Sequence, residues 1–415
     1  MSRFATASQL DKRDELRALR RQFEIPQIDG APAIYLCGHS LGLMPRRARA
    51  LVDRELNRWA DQGVDAHFGE GAWFDYHRRL SAPLAKLLGA QLREVVAMNS
   101  LTVNLHLLMT SFYRPQGRRR RIVIEAGAFP SDRYAVAAQI ALHGGDPQRD
   151  LIELTPADPD SGLQPSDLHS AFAGNAERIA LVLLPGVQYL TGQVLDIKAL
   201  TRVAHDHDCP IGFDLAHAVG NVALRLHDAG PDFAVWCSYK YLNGGPGAIG
   251  GAFVHARHAQ SHDLPRLAGW WGHDEQRRFA MEHDFVPMPG AEGWQLSNPS
   301  IFSIVPLQAS LELFSRAGRR ALQKKSQALS RFMTQRASEL LDGVADICAP
   351  QAVRGSQISL QLRDADAQHC ATLLRKRRIV VDTRRPNILR LAATPLYNRF
   401  MDIERALQAL AQALR

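Results

Sequence analysis

The chain has 415 residues, is 46% hydrophobic and carries a formal net charge of +8. That length suits two or three domains around a large core, and no apolar run reaches the ~18 residues that read as a membrane span. The densest basic run, Arg118 to Arg121, falls in a turn before an apolar strand, with no interleaved aromatics, so it predicts a solvated loop and no nucleic-acid face. The basic excess suits small anionic ligands such as phosphates and carboxylates.

The opening stretch, "MSRFATASQLDKRDELRALRRQFEIP", is charged and helical in pattern and lacks the apolar centre of a secretory signal. Five cysteines (Cys37, Cys209, Cys237, Cys348, Cys370) are scattered without C-x-x-C spacing, which predicts reduced thiols and a cytoplasmic protein. After "IYLCGHSLGLMP" the chain alternates short apolar runs with amphipathic ones. "REVVAMNS" predicts a strand and "LTVNLHLLMTSF" a helix. "RRIVIEAGAFP" predicts a strand and "SDRYAVAAQIALHG" a helix. "RIALVLLPGV" and "DIKALTRVAHDHD" repeat the pair, and "CPIGFDLAHAVG", "DFAVWCSYK" and "GAIGGAFVH" predict three more strands. This alternation predicts an α/β fold, a mainly parallel sheet flanked by helices on both faces. From about Pro306 one long helical pattern runs to "ELLDGV". "SQISLQLRD", "DAQHCATLLRKRRI" and "ILRLAATPL" then predict strand, helix and strand, a second and smaller α/β unit. The boundaries fall near residues 55 and 305. A large domain spans 55–305, and a small one combines 1–54 with 306–415.

Open α/β sheets bind ligands beyond the carboxyl ends of their strands. After "VVAM" come Asn99, Ser100, Leu101 and Thr102, where a helix start offers free N–H groups to an anion. After "IVIEAGA" come Phe129, Pro130, Ser131 and Asp132, after "PIGF" comes Asp214 with His217 beyond it, and after "FAVWCS" comes Lys240. Each has an ordinary explanation as an N-cap, a core ring or a turn residue. A lysine between apolar residues and glycines is harder to explain that way, because lysine is almost never buried without a partner. Together they make a phosphate cradle, a flat ring, a carboxylate and an amine, the set required by pyridoxal 5′-phosphate (PLP). The lysine forms a Schiff base with its aldehyde, the carboxylate pairs with its ring nitrogen, and the aromatic ring stacks on it.

"GFDLAHAVGN" followed by "WCSYKYLNGGPG" resembles the kynureninase family within the fold-type-I PLP superfamily. "GHSLGLMP", "NSLTVNLHLLM", "AGAFPSDRYA", "GWWGHD", "QLSNPSIFS" and "LRLAATPLYN" extend the resemblance over nearly the whole chain. It implies a homodimer with shared active sites, and hydrolysis of L-kynurenine or its 3-hydroxy form to anthranilate, or its hydroxylated form, and L-alanine, in tryptophan catabolism and NAD biosynthesis. It implies Lys240 as the Schiff-base lysine, Asp214 on the ring nitrogen and Phe129 on the ring face. Leu101, Thr102, Pro130, Ser131, Tyr239 and Trp270 are implied around the cofactor, with Asp132, His217 and Asn298 beside it. Arg390 is implied at the substrate carboxylate, and His67, Asn298 and Ser40 toward the rest of the substrate. A guanidinium suits the carboxylate because it donates two parallel hydrogen bonds. Tyr239 is the candidate proton donor near the γ-carbonyl. Pro185 departs from the pattern, since it stands where a small hydroxyl residue is expected.

The run "HDHDC" at 205–209 has metal-like spacing, but no second cluster completes four ligands, so no metal is expected. Two rivals remain: another PLP enzyme such as a cysteine desulfurase, which needs a reactive cysteine on a mobile loop, and a nucleic-acid-binding regulator, which needs a helix-turn-helix or an aromatic-rich basic face.

Overall fold

The computed structural model describes residues 6–260 and 263–414, so the first five residues of the charged opening stretch lie outside it. Seven strands form the larger sheet: β1 (Val95–Ala97), β2 (Arg121–Glu125), β3 (Leu151–Leu154), β4 (Ile179–Pro185), β5 (Ile211–Asp214), β6 (Phe233–Trp236) and β7 (Gly251–Val254). Their order is β1-β7-β6-β5-β4-β2-β3. β6, β5, β4, β2 and β3 pair in parallel, while β7 lies antiparallel to both β1 and β6. The reason is in the composition. β4 reads Ile-Ala-Leu-Val-Leu-Leu-Pro, and its first six residues are all buried, as a strand covered on both faces requires. Successive side chains along the strands point to opposite faces. Val123, Leu184, Phe213 and Trp236 enter one core, and Ile124, Leu183, Phe233 and Val235 enter another. Each large apolar side chain buried there contributes ~1.5–3 kcal/mol.

Two helices start beside the carboxyl ends of these strands: α1 (Leu101–Phe112) after β1 and α2 (Pro130–Leu142) after β2. α2 opens with proline at its first position, where no N–H is needed. α3 (Ile197–His205) follows β4 and is capped by Asp196, whose side chain accepts from the Ala199 N–H.

The long helical pattern expected from Pro306 is two helices. α4 (Ile301–Ala317) begins earlier and includes Pro306, and α5 (Arg319–Leu340) follows a break at Gly318. Gly318 has φ +76°, a region that favours glycine. The second sheet is antiparallel, with β8 (Ala345–Ile347), β9 (Gln357–Leu362), β10 (Asp382–Arg384) and β11 (Ile388–Ala392) in the order β8-β9-β11-β10. Helices α6 (Ala367–Lys376) and α7 (Phe400–Ala413) pack with α5 around Leu360, Leu374, Leu389 and Leu407. The N-terminal stretch reaches both cores. Ile34 pairs in parallel with Ile379 and Leu36 joins the small core, whereas Leu16, Phe23, Leu43 and Leu51 belong to the large one. All five cysteines are free thiols, and among the described residues no helix is long and apolar enough to cross a membrane.

Candidate active site

The parallel strands end on one edge. Glu125 closes β2, Pro185 closes β4 and Asp214 closes β5, with Asp214 registered between Pro185 and Val235. Beyond these ends lies a cavity of about 110 Å³, and Lys240 reaches it from the turn after β6. That turn is held from both sides. The Asn243 N–H donates to the Lys240 carbonyl at 2.9 Å, and the Gly42 N–H of the N-terminal stretch donates to the Tyr239 carbonyl at 2.8 Å. A side chain at Gly42 would meet the Lys240 carbonyl oxygen and the Asn243 backbone, so only glycine lets the two segments approach this closely.

The structure brings nine of the expected site residues to this cavity: Leu101, Thr102, Phe129, Ser131, Asp132, Asp214, His217, Tyr239 and Lys240. Lys240 Nζ lies 5.8 Å from the ring centroids of both Phe129 and Tyr239. Asp214 is buried, and its Oδ1 accepts from the Ala216 N–H at 2.6 Å, which fixes the carboxylate. The Thr102 and Ser131 hydroxyls, at the starts of α1 and α2, stand 2.9 Å apart. Two helix starts and two hydroxyls converging on one point make an anion cradle. The residue before α1, Ser100, makes no side-chain cap there, so the first N–H groups are left for a ligand.

Burial shapes the charges. It pushes the Glu125 carboxyl up to about 8, against a weak lowering by Gln188, whose Nε2 is 3.5 Å away. Burial and then the neighbouring Asp214 carboxylate hold Asp132 well above the usual carboxylate range. Burial and the nearby Lys240 ammonium hold His217 neutral, well below its ordinary value. Asp132 Oδ1 and His217 Nδ1 are buried without a hydrogen-bond partner. A carboxyl-rich floor, an amine, a flat ring, an anion cradle and two unpaired polar atoms fit a cationic aromatic ring carrying a phosphate.

The remaining expected residues lie outside this cavity's lining. Pro130 is the first residue of α2. Trp270 is half exposed and donates its indole N–H to the Arg278 carbonyl at 3.2 Å. His67 lies among aromatic rings, 5.4 Å from Trp73 and 5.3 Å from Phe74, and Phe74 stacks on Trp271. Asn298 and Ser40 are exposed. Arg390 is buried, and its Nη1 donates to the carbonyl of Tyr189 at 2.7 Å. Tyr189 lines the cavity and meets Phe129 edge-on at 5.2 Å, so Arg390 stands one residue behind the cavity wall. Pro185 lines the wall without an N–H to offer. The "HDHDC" run does other work: His205 Nε2 sits 3.0 Å from Asp232 Oδ2 in an ion cluster with Arg257 and His258.

Sequence reasoning missed Glu125, Tyr189 and Asp382. Glu125 carried a signal, an acid closing an otherwise apolar strand. Tyr189 and Asp382 carried none, because their positions depend on how a loop and a three-residue edge strand pack.

A family model described as "Kynureninase C-terminal domain" matches residues 322–410. The kynureninase of Xanthomonas campestris pv. campestris is 51% identical over 407 residues, covering 97% of this chain and 96% of the relative. That of Myxococcus xanthus is 49% identical with the same coverage. The chain belongs to the kynureninase family. The Stenotrophomonas maltophilia kynureninase, 51% identical over 95% of this chain and 94% of its own, agrees. Among solved structures, a cysteine desulfurase from Escherichia coli superposes with a TM-score of 0.77 at 18% identity, covering 96% of this chain and 98% of that one. A cystine C–S lyase in complex with cysteine persulfide gives 0.76 at 18% identity, with 92% and 98% covered. At that identity the match establishes the fold, and it is the fold-type-I arrangement of PLP enzymes, which this kynureninase-family chain shares.

Proposed function

We infer that this protein is a PLP-dependent hydrolase that cleaves the Cβ–Cγ bond of L-kynurenine, or of its 3-hydroxy form, releasing the anthranilate product and L-alanine. The observation that carries the reading is Lys240 placed in one small cavity with Asp214 and Phe129, in a chain about half identical to curated kynureninases along nearly its whole length.

Lys240 would hold the cofactor through its amine, Asp214 its ring nitrogen, Phe129 its face, and Thr102, Ser131 and the first turns of α1 and α2 its phosphate. When bound, PLP would supply an electron sink for charge developed at the substrate's Cα. The Lys240 amine would be the group placed to take the Cα proton. Arg390 binds the α-carboxylate. Tyr239, whose phenol burial holds above its ordinary value, remains protonated and serves as the proton donor toward the γ-carbonyl side. Water is divided across the broken bond: hydroxide goes to the γ-carbon, giving the aryl carboxylate, and the proton goes to the β-carbon, giving alanine's methyl group. A desulfurase reading meets a chemical obstacle here, because burial raises all five thiols, Cys237 nearest the site to about 11, and a nucleophilic cysteine needs the opposite shift.

We further propose a cytoplasmic homodimer that serves tryptophan breakdown and NAD biosynthesis, with each subunit divided into residues 55–305 and a small unit of 1–54 with 306–415. The partner subunit would complete the site with residues that stand outside the Lys240 cavity, Trp270, His67, Asn298 and Ser40. The test is direct. PLP-loaded protein given L-kynurenine is expected to produce fluorescent anthranilate and alanine in equal amounts. Loaded protein that yields neither from kynurenine nor from 3-hydroxykynurenine sinks the assignment, and the ratio of kcat/KM for the two selects between them.

A further inference from the structure

Asp382 lies on the edge strand β10, directly across from Arg390 on β11. Its two oxygens meet the side edge of that guanidinium, with Arg390 Nη2 2.8 Å from Oδ2 and Nε 3.3 Å from Oδ1. The Tyr189 carbonyl takes one more N–H, from Nη1, at 2.7 Å. An arginine has five N–H groups in a rigid plane, so three are engaged and two remain, one on each terminal nitrogen. A fork locked on two sides cannot rotate, and its remaining pair keeps a fixed direction. Charge points the same way. Arg384 Nη1 also reaches Asp382 Oδ1 at 2.6 Å, so one carboxylate faces two guanidiniums and the trio keeps one net positive charge. His39, buried with its Nε2 3.6 Å from Asp382 Oδ2, closes the other side of the carboxylate.

We propose that Asp382 is a positioning residue that locks the Arg390 guanidinium so that its two remaining N–H groups meet the α-carboxylate of the amino-acid substrate. The carboxylate supplies the one negative charge that the Asp382–Arg384–Arg390 trio lacks. Asp382 touches neither substrate nor cofactor; it acts through Arg390. This rests on the reading of Arg390 as the carboxylate-binding group. The substrate would be held by an arginine that is ordered before it arrives, so little side-chain freedom is lost on binding.

The test compares wild type and Asp382→Asn, both loaded with PLP and assayed with L-kynurenine. The variant keeps the shape and loses the charge. Its KM is expected to rise by about tenfold to a hundredfold, the scale of a misplaced positioning group, with kcat within about threefold and cofactor content unchanged. Its preference for inhibition by L-alanine over L-alaninamide, which reads the carboxylate contact alone, is expected to shrink by the same factor. An unchanged KM overturns the proposal. So does a lower KM, which would make Asp382 a competitor for Arg390, and so does a parallel loss of kcat, cofactor content and thermal stability, which would make it scaffold. If Asp382→Asn does not fold, Asp382→Glu, which keeps the charge but shifts it by one methylene, carries the same readings. Wild type that turns over neither kynurenine nor 3-hydroxykynurenine would instead count against the functional assignment, so the two failures are separable.

Discussion

In the proposed mechanism Lys240 is the residue on which the chemistry turns, and its replacement tests that role. Among the described residues it is the one lysine lining the cavity, and Lys240→Ala removes that amine. Anthranilate release is expected to fall by at least ~10³-fold, since a positioned general base alone is worth ~10²–10⁴. Borohydride treatment of loaded wild type is expected to leave a pyridoxyl label on the tryptic peptide containing Lys240, and none in the variant; a label on another peptide would refute the assignment. His39 offers a test at the same scale that is independent of turnover. Burial pushes its imidazole down to about 4, against the upward pull of Asp382. The folded chain therefore keeps it neutral, while the unfolded chain takes up a proton below ~6.5. With the folded value below the unfolded one, this site's stability is intact above ~6.5 and is lost as pH falls toward 4. The loss at pH 5 relative to pH 8 is on the order of 2 kcal/mol for this site. Urea midpoints of the apo-protein at the two pH values are expected to differ less in His39→Gln than in wild type, and identical differences would show that His39 does not carry the effect.

Among the elements, the Lys240 turn depends on a glycine far away in sequence. Gly42→Ala would drive a methyl group against the Lys240 carbonyl oxygen and to 2.7 Å from Asn243 Cα, both backbone and unable to swing aside. A loss of ~1–3 kcal/mol is expected, as for other overpacked sites, seen as a lower Tm together with weaker PLP retention; a lower Tm with normal PLP retention would uncouple the N-terminal stretch from the turn. The same elements show what was legible from sequence. The buried strands β2, β4, β5 and β6 were readable because their apolar runs are short and end at turn residues. Lys240 was readable because an amine in such a setting has few structural explanations. The break at Gly318 was not, because a single glycine is compatible with a helix pattern until its φ is known. Nor was β10, whose residues Asp-Thr-Arg have no alternation and become a strand only by pairing with β11. Asp382 therefore carried no sequence signal, whereas Arg390 came from the family resemblance through "LRLAATPLYN".

For the whole molecule the proposed homodimer makes a prediction about which subunit supplies which side chain. Lys240 and the cofactor cradle come together within one chain, but His67 and Asn298 do not line that cavity. Exposed aromatic rings surround the same segments: Phe68 is 55% exposed and packs 6.4 Å from His67, and Trp59 is 58% exposed and packs 6.3 Å from Phe302. Such a surface suits a self-complementary contact between two copies. Subunit complementation decides the matter. If one site draws Lys240 from one chain and His67 from the other, a mixed dimer of Lys240→Ala and His67→Ala has one site carrying both changes and one carrying neither. Random reassociation of equal amounts makes half the dimers mixed, so about one quarter of all sites regain full function. Each variant alone is expected to stay inactive or strongly impaired. Mixing them after unfolding and refolding together should then restore anthranilate production to about a quarter of wild type. If both side chains serve a site within one chain, every site in the mixture still carries a substitution, and no activity returns however the subunits are exchanged.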